Sequence, residues 1–226
     1  MNYYPAMSYA PAMTMTQAVP SGQRNTLEVI GEGSSTAAPD KAVIVLGAIT
    51  ENVSLSVAQK ENADAVTSIL SALTKLGIPK EQMQTVTYRI DTQYDYADGH
   101  QTFRGYQVTH MLQITIPNVD RTGLVVDTAV ASGANQVNSI QFAMAHPEQH
   151  YRQALAEAVA DARLKALTIA GALGVTLYPV PVQVQERSLG AEPSPLPMAK
   201  FAMASATPIQ PGELKIAAAV KLVFTY

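Results

Sequence analysis

Residues 85–116 read TVTYRIDTQYDYADGHQTFRGYQVTHMLQITI, and this stretch decides the fold. Along its first arm apolar side chains alternate with Thr, Arg, Gln and Asp, which is the period of a β-strand. Asp98-Gly99 supplies the residues of a hairpin turn, and the alternation resumes from Tyr106 to Ile116. The stretch therefore predicts a long antiparallel β-hairpin.

The hairpin is longer than the body of a protein of this size. Each arm has about a dozen residues and spans about 40 Å at about 3.3 Å per residue, whereas an ordinary strand spans about 17–20 Å. Because the radius of gyration should be about 16 Å, we expect the hairpin to protrude or to curl around the body. Its aromatic residues either support the paired strand or contact another copy of the chain, and a protruding hairpin favours contact with another copy. These residues are Tyr88, Tyr94, Tyr96, Phe103 and Tyr106.

A strand and a helix precede the hairpin. Residues 42–49 are almost uniformly apolar, which is typical of a central strand buried on both faces. Beyond Ser54, small or apolar residues recur at spacings of three and four until Gly77 and Pro79, which predicts an amphipathic helix. The predicted buried stripe is Ala58, Asn62, Ala65, Val66, Ile69, Leu73 and Leu76.

A second helix and a short strand follow the hairpin. Asn118 or Asp120 can cap the helix and Gly133 ends it, while residues 136–142 form the strand. Its apolar residues are Leu124, Val126, Val130 and Ala131. The order over residues 41–144 is therefore β-α-β-β-α-β. We predict an α/β (α+β) fold containing a ferredoxin-like split layer, which is an antiparallel sheet with helices on one face.

The remaining elements flank this layer. Residues 25–30 predict a strand that bends at Gly31-Glu32-Gly33, and Pro147 begins a long third helix that ends at Gly174. Two further strands are predicted around residues 180–184 and 214–226. The stripe of the third helix is Tyr151, Leu155, Ala158, Ala162, Ala166, Ile169 and Leu173.

Two segments lack a regular pattern. Residues 1–24 are a Tyr/Pro-rich stretch that predicts a disordered tail, so the folded domain is expected to span residues 25–226. Residues 190–212 are irregular and rich in proline. They form either a mobile loop whose contact residues are Met198, Phe201 and Met203, or a linker without a role.

Composition excludes several classes of function. The net charge of −3 and the absence of a basic cluster argue against nucleic-acid binding. A chain without cysteine has no disulfide, thiolate nucleophile or Cys-ligated zinc. Residues 1–24 lack the basic and apolar parts of a secretory signal, and no run of about 20 apolar residues could span a membrane. These features leave the cellular location open, with the cytoplasm as the default expectation.

Few residues suggest chemistry. Gly31, Gly33 and Ser34 lack the Lys that follows in a phosphate loop, and a strand rather than a helix comes next. His146 and His150 have the spacing of two metal ligands, although a solvated helix start explains them as well. The strand period favours a hydrogen-bonded core or interface role for His110.

Carboxylates do not assemble a site either. Glu157 and Asp161 lie one turn apart beside basic residues, which favours ordinary surface pairing. We therefore predict no enzymatic activity, no cofactor and no metal.

Six short motifs together resemble the SIMPL-domain family, in its 26-kDa periplasmic immunogenic and oxidative-stress-defence type. The motifs are Gly31-Glu32-Gly33 with Pro39-Asp40, Tyr94-Asp95-Tyr96, Gly105-Tyr106, Gly133-Ala134-Asn135, Asp161-Ala162-Arg163 with Lys165-Ala166, and residues 208–213. The resemblance covers residues 25–226, and the tail is similar to Gram-positive versions. It implies an α/β domain without an established active site, ring-like or channel-like oligomers, and links to oxidative stress or the cell envelope.

Two functions follow as expectations. The first is a self-assembling structural or stress-related protein that oligomerises through the long hairpin. The alternative is a monomeric binding module for a small ligand or a protein partner.

Overall fold

The computed structural model describes residues 25–97, 99–187, 194–196, 207 and 209–226. The predicted tail of residues 1–24 and the predicted loop contacts Met198, Phe201 and Met203 lie outside the described residues. The described chain is a mixed α/β structure, as predicted, and its strands form two antiparallel sheets. The elements are β1 (Thr26–Ala37), β2 (Lys41–Asn52), α1 (Leu55–Lys75), β3 (Met83–Ala97), β4 (His100–Ile116), α2 (Thr122–Ala131), β5 (Gln136–Ala143), α3 (Pro147–Leu173), β6 (Gln183–Arg187), β7 (Ser194–Leu196) and β8 (Glu213–Thr225).

The first sheet joins the two ends of the described chain. The last strand, β8, lies between β1 and β6, and β7 also pairs with β8. Helix α3 covers one face and packs against both β1 and β8. Its core is made of small and apolar residues: Val29, Ala158, Ala162, Ala166, Val220, Leu222 and Phe224.

The second sheet has the strand order β3-β4-β2-β5, and every neighbouring pair is antiparallel. Helices α1 and α2 cover one face, where Ile44, Leu46 and Ile114 are fully buried. The expectation that β2 is buried on both faces is wrong, because Val43 and Val45 on the other face are only half-buried. Since the helices cover one side only, that face is less protected from solvent.

Strand β1 does not bend at its glycines. It continues through Gly31 and Gly33 to Ala37 because both glycines face α3, where a side chain would collide with the helix backbone. The buried stripe of α3 consists of alanines only: Ala154, Ala158, Ala162, Ala166 and Ala170. The predicted members Ile169 and Leu173 are 39% and 61% exposed. Alanine occupies these positions because the close contact with β1 has room only for small side chains.

Two other predicted elements need correction. In α2 the buried residues include Val125, Val126 and Ala129, whereas Leu124 and Val130 are exposed. The helix is apolar on several sides, so its sequence could not indicate which side faces the core.

The strand predicted at residues 180–184 begins later, at Gln183. Pro179 and Pro181 lack the N–H groups that an earlier strand would use. The N–H group of Val182 still donates to the carbonyl of Val223 at 2.7 Å.

Candidate functional site

Strand β3 is an exposed edge of the second sheet. It has 15 residues and pairs on one side with β4, while no other described strand pairs with it. Most of its side chains are exposed, including five large apolar or aromatic ones: Val86, Tyr88, Ile90, Tyr94 and Tyr96. Val86 is 44% exposed, Tyr88 53% and Ile90 37%. An edge of this length and character is a template for another strand.

The β3–β4 pair continues past the end of β2. The last β2–β4 pair is Asn52 with Tyr106, whereas β3 and β4 stay paired as far as Ala97 and His100. We call residues 93–105 the distal hairpin, of which Asp98 lies outside the described residues. No β2 residue pairs with β4 in this segment.

The structure brings three of the five predicted contact aromatics together. The rings of Tyr94 and Phe103 are 5.9 Å apart, and those of Phe103 and Tyr106 are 5.2 Å apart, both edge to face. Tyr94 is 41% exposed and Phe103 45%. Tyr96 lies nearer the turn and is 76% exposed. The distal hairpin therefore presents an aromatic cluster to solvent.

An ion pair joins the distal hairpin to the end of β2. The Arg104 guanidinium donates to both carboxylate oxygens of Glu51, at 2.6 and 3.0 Å, and lies 3.4 Å from Asp95. The hydrogen bond to Glu51 raises the pKa of Arg104. A Cβ atom on Gly105 would lie 2.9 Å from the carbonyl oxygen of Asn52. The distal hairpin therefore begins where the backbones of β4 and β2 are in close contact, and the ion pair between Arg104 and Glu51 holds it there.

The other predicted aromatic, Tyr88, lies against His110. Their rings are 5.2 Å apart and perpendicular, and His110 Nε2 is 2.9 Å from the hydroxyl of Thr85. Burial lowers the pKa of His110. The Gln59 amide donates to the hydroxyl of Tyr88 at 3.4 Å. The histidine is thus hydrogen-bonded beside the exposed edge, as its position in the strand predicted.

The other long edge, β1, is covered by α3. The N–H groups of Glu32 and Ser34 donate to the carboxylates of Asp161 and Glu157, at 2.9 and 3.3 Å. The Lys165 ammonium donates to the carbonyl oxygen of Ile30 at 3.1 Å. We call Glu157, Asp161 and Lys165 the α3 clamp. These side chains occupy positions on β1 that another strand would use.

The clamp corrects the surface-pairing interpretation of Glu157 and Asp161. Asp161 does pair with Lys165 at 2.7 Å, but both carboxylates also bind the backbone of β1. Hydrogen bonds from Lys165 and from the Glu32 N–H group lower the pKa of Asp161. The i, i+4 spacing of the carboxylates was visible in the sequence, but their strand partner was not.

The glycines of β1 allow the clamp to reach. A Cβ atom on Gly31 would lie 2.1 Å from the carbonyl oxygen of Ala158, and one on Gly33 would lie 2.1 Å from that of Ala154. Real side chains do not fit at these distances. The Gly-Glu-Gly motif therefore sets how closely α3 approaches β1.

His146, which precedes the first residue of α3, and His150 in its first turn contact different neighbours. His150 Nδ1 lies 3.1 Å from the buried hydroxyl of Ser35, which also contacts Gln153, whereas His146 lies 3.3 Å from Glu148. Within the described residues no group of three or more His, Asp or Glu side chains could hold a metal ion.

Two asparagines have structural roles that the sequence analysis missed. Asn62 is 1% exposed, and its amide donates to the carbonyls of Ala48 and Val108 at 2.9 and 3.1 Å. Asn135 exchanges hydrogen bonds of 2.8 and 2.7 Å with the backbone of Ile49, continuing the β5 side of β2. A polar amide inside an apolar helical stripe was the available signal for Asn62.

A small groove lies at the other end of the second sheet. It has a volume of about 210 Å³ and is lined by Ile78, Pro79, Gln82, Pro117, Arg121 and other residues. The Gln82 Oε1 atom is buried without a hydrogen-bond partner in the described part of the chain.

Across the described helices, none combines the length and apolar character needed to cross a membrane.

Together these features define an α/β domain of two antiparallel sheets, with one covered and one exposed long edge. The SIMPL family model, described as a protein of unknown function (DUF541), matches residues 27–224. The chain belongs to the SIMPL family, as its motifs predicted.

Curated relatives agree with this assignment. The 26 kDa periplasmic immunogenic protein of Brucella melitensis is 31% identical over 209 residues, which are 88% of this chain and 83% of the relative. The uncharacterized protein YggE of Escherichia coli K12 is 26% identical over 191 residues, which are 84% of this chain and 76% of YggE. The Brucella name gives no support to the expected cytoplasmic location.

Proposed function

We propose that this protein is a non-enzymatic, self-assembling protein that associates with copies of itself through the β3–β4 hairpin. The observation that supports this most strongly is the row of exposed apolar side chains on the hairpin. Tyr88, Tyr96 and Phe103 are 53%, 76% and 45% exposed. Tyr and Phe are enriched at protein interfaces, and large contiguous apolar patches on monomers tend to be functional.

In this proposal the hairpin is a protruding arm of a ferredoxin-like layer. The strand order β3-β4-β2-β5, with α1 and α2 packed on the sheet, supports the layer. The end of β2–β4 pairing at Tyr106 supports the protrusion. The Arg104–Glu51 pair would hold the arm at a fixed angle, which a regular assembly requires.

An envelope-associated structural or stress-related role fits the relatives. The Brucella protein is named as periplasmic, and we extend that location to this chain as part of the proposal. The absence of an enzymatic role is also part of the proposal. The histidines and carboxylates described above are engaged with neighbouring side chains or backbone, which supports a structural use of these groups.

A binding module remains the second candidate, supported by the groove at Gln82. Its unpaired amide oxygen could accept a hydrogen bond from a small ligand. The volume of about 210 Å³ is below that of common ligand sites, about 300–1,000 Å³. A second, more open groove lined by Leu70, Thr74 and Met83 has a volume of about 660 Å³, which lies within that range. Volume therefore does not decide between the two functions, and the exposed aromatic residues of the hairpin are the observation that favours self-association.

The test is the mass of the protein in solution, measured by light scattering after size exclusion. Gln93 lies opposite Gly105, so residues 94–104 can be replaced with Asn-Gly, a two-residue turn that closes the shortened hairpin. We expect the intact chain to form a defined multimer and the shortened chain to lose subunits.

A matched control is Tyr178→Ser, which removes a tyrosine that is 63% exposed beside the first sheet. The control should keep the mass of the multimer. Monomers in both the intact and the shortened chain would refute the proposal and move the binding module to first place.

A further inference from the structure

We propose that β3 pairs with β3 of a second copy, antiparallel, around a two-fold axis at Ile90. In this register residue i of one copy lies opposite residue 180 − i of the other. The inference rests on the proposed self-assembly and names the partner, the strand and the register. It adds an edge-to-edge contact that the aromatic cluster of the distal hairpin does not require.

The choice of strand follows from a comparison of the edges. The α3 clamp occupies β1, and the other outer strands are short: β5 has eight residues, β6 has five and β7 has three. By contrast β3 has 15 residues and is exposed over most of its length. Of the outer strands that the structure describes, β3 is therefore the one suited to long pairing.

The choice of register begins with the bulges. The β3–β4 register shifts between Thr85 and Thr87 and again between Gln93 and Tyr94. Residues 87–93 are thus a regular span, and Ile90 is at its centre. A two-fold axis at Ile90 uses the whole span in both copies.

Charge complementarity supports the same register. Arg89 and Asp91 lie on the same face of β3 and pair with each other at 2.6 Å. With the axis at Ile90, Arg89 lies opposite the second copy's Asp91, and the reverse, which gives four alternating charges. Moving the axis by one residue sets Arg89 against Arg89 or Asp91 against Asp91, and like charges in opposite positions are unfavourable.

The other face of the span is apolar and agrees with this register. Tyr88 lies opposite Thr92 of the second copy, and the two Ile90 side chains meet at the axis. Tyr88 and Ile90 are 53% and 37% exposed, so pairing would bury apolar area on both copies. One face therefore supplies hydrophobic burial and the other supplies specificity.

The first experiment mixes two charge variants. In Arg89→Asp and in Asp91→Arg, each homodimer sets like charges opposite one another, so we expect each variant to self-associate about tenfold more weakly. Mixed together, the two chains carry opposite charges at every contact, and association should return to within about threefold of the original. Neither chain regains its internal Arg89–Asp91 pair in the mixture, so recovery would report the contact between copies.

The matched control is Lys60→Asp, which breaks an exposed ion pair with Asp64 on α1 in the same manner. Its association constant, measured by sedimentation equilibrium, should stay unchanged. Singles without effect, or a mixture without recovery, would overturn the register.

The second experiment measures distances with spin labels on single cysteines, which the cysteine-free chain allows. Equivalent sites in the two copies separate by about 6.6 Å for each residue from the axis. Labels at Thr87→Cys and Gln93→Cys should give equal backbone separations of about 20 Å, and Asp95→Cys about 33 Å.

Unequal values at 87 and 93 would overturn the axis at Ile90. An assembly that falls apart when the distal hairpin is shortened, yet shows no such distances, would refute this inference and leave the proposed function standing. A monomeric wild-type chain would refute both.

Discussion

The two long edge strands are treated in opposite ways. On β1, backbone groups of Ile30, Glu32 and Ser34 bind side chains of α3. On β3, the side chains beside the edge are exposed, and they include large apolar ones. The difference shows that one chain can cover one long edge with its own helix while another long edge stays exposed.

The covered edge depends on shape before it depends on charge. Glu157 and Asp161 can reach β1 because glycines and alanines bring the helix and strand backbones together. Side chains of ordinary size would hold α3 away, and the carboxylates would then bind water.

The largest effect is expected when a larger side chain is placed in the contact between α3 and β1. In Gly31→Val the new side chain must displace α3, since even a Cβ atom would lie 2.1 Å from the carbonyl oxygen of Ala158. We expect the free energy of unfolding to fall by about 3 kcal/mol, because the two nearest atoms belong to the backbone of α3 and cannot move aside as a flexible side chain would. Denaturant titration followed by circular dichroism measures the change.

Gly171→Ala is the matched control for that substitution. Gly171 also lies in α3, but no atom lies within 4 Å of a Cβ atom placed there. Alanine should stabilise α3 by about 0.5–1 kcal/mol. Equal losses in the two variants would contradict the close approach of α3 to β1 as the cause of the loss at Gly31.

The next largest effect is expected when the α3 clamp is removed and β1 becomes an open edge. Glu157→Ala with Asp161→Ala leaves the N–H groups of Glu32 and Ser34 without acceptors. We expect concentration-dependent association beyond the native assembly, because exposed edge groups pair with other strands. Light scattering against concentration measures it, and Asp64→Ala, which removes an exposed carboxylate on α1, is the control. Unchanged scattering would contradict a protective role for the clamp.

These two edges mark how far the sequence predicts the structure. The alternation in β3 and the helical stripe of α1 arise from contacts within one element or between neighbouring elements. The period of apolar residues was therefore enough to predict this strand and this helix. The strand continuing through Gly31 could not be predicted, because its reason lies in Ala158, more than a hundred residues away. The same holds for Asp161, whose acceptor role needs the β1 backbone.

The candidate site was predictable in part for the same reason. The aromatic residues of the hairpin were visible as an alternating stripe, and three of them do cluster. Which edge is open depends on where α3 packs, and that is a property of the whole fold. The charges at Arg89 and Asp91 gained significance only when β3 proved to be an edge.

A smaller effect concerns the acid side of the clamp. The pKa of Asp161 is lowered in the folded protein, so the unfolded chain takes up the proton first. Its contribution to stability is therefore present above the usual value of 3.8 and is lost as pH falls through the lower folded value. We expect Asp161→Asn to unfold at a lower temperature than the original at pH 6, with the difference shrinking towards pH 2. A constant difference across that range would contradict the ionic role.

The smallest effect is expected at the open edge, where burial lowers the pKa of His110. A histidine that resists protonation when folded favours the folded state above its unfolded pKa, near 6.5, and this advantage is lost as pH falls. His110→Gln keeps a polar group beside Thr85 but does not titrate. The melting temperature of the variant should therefore fall less than the original between pH 7.5 and 5.5. If β3 is paired in the assembly, the difference should be larger at concentrations that favour association, because pairing removes more water from the histidine.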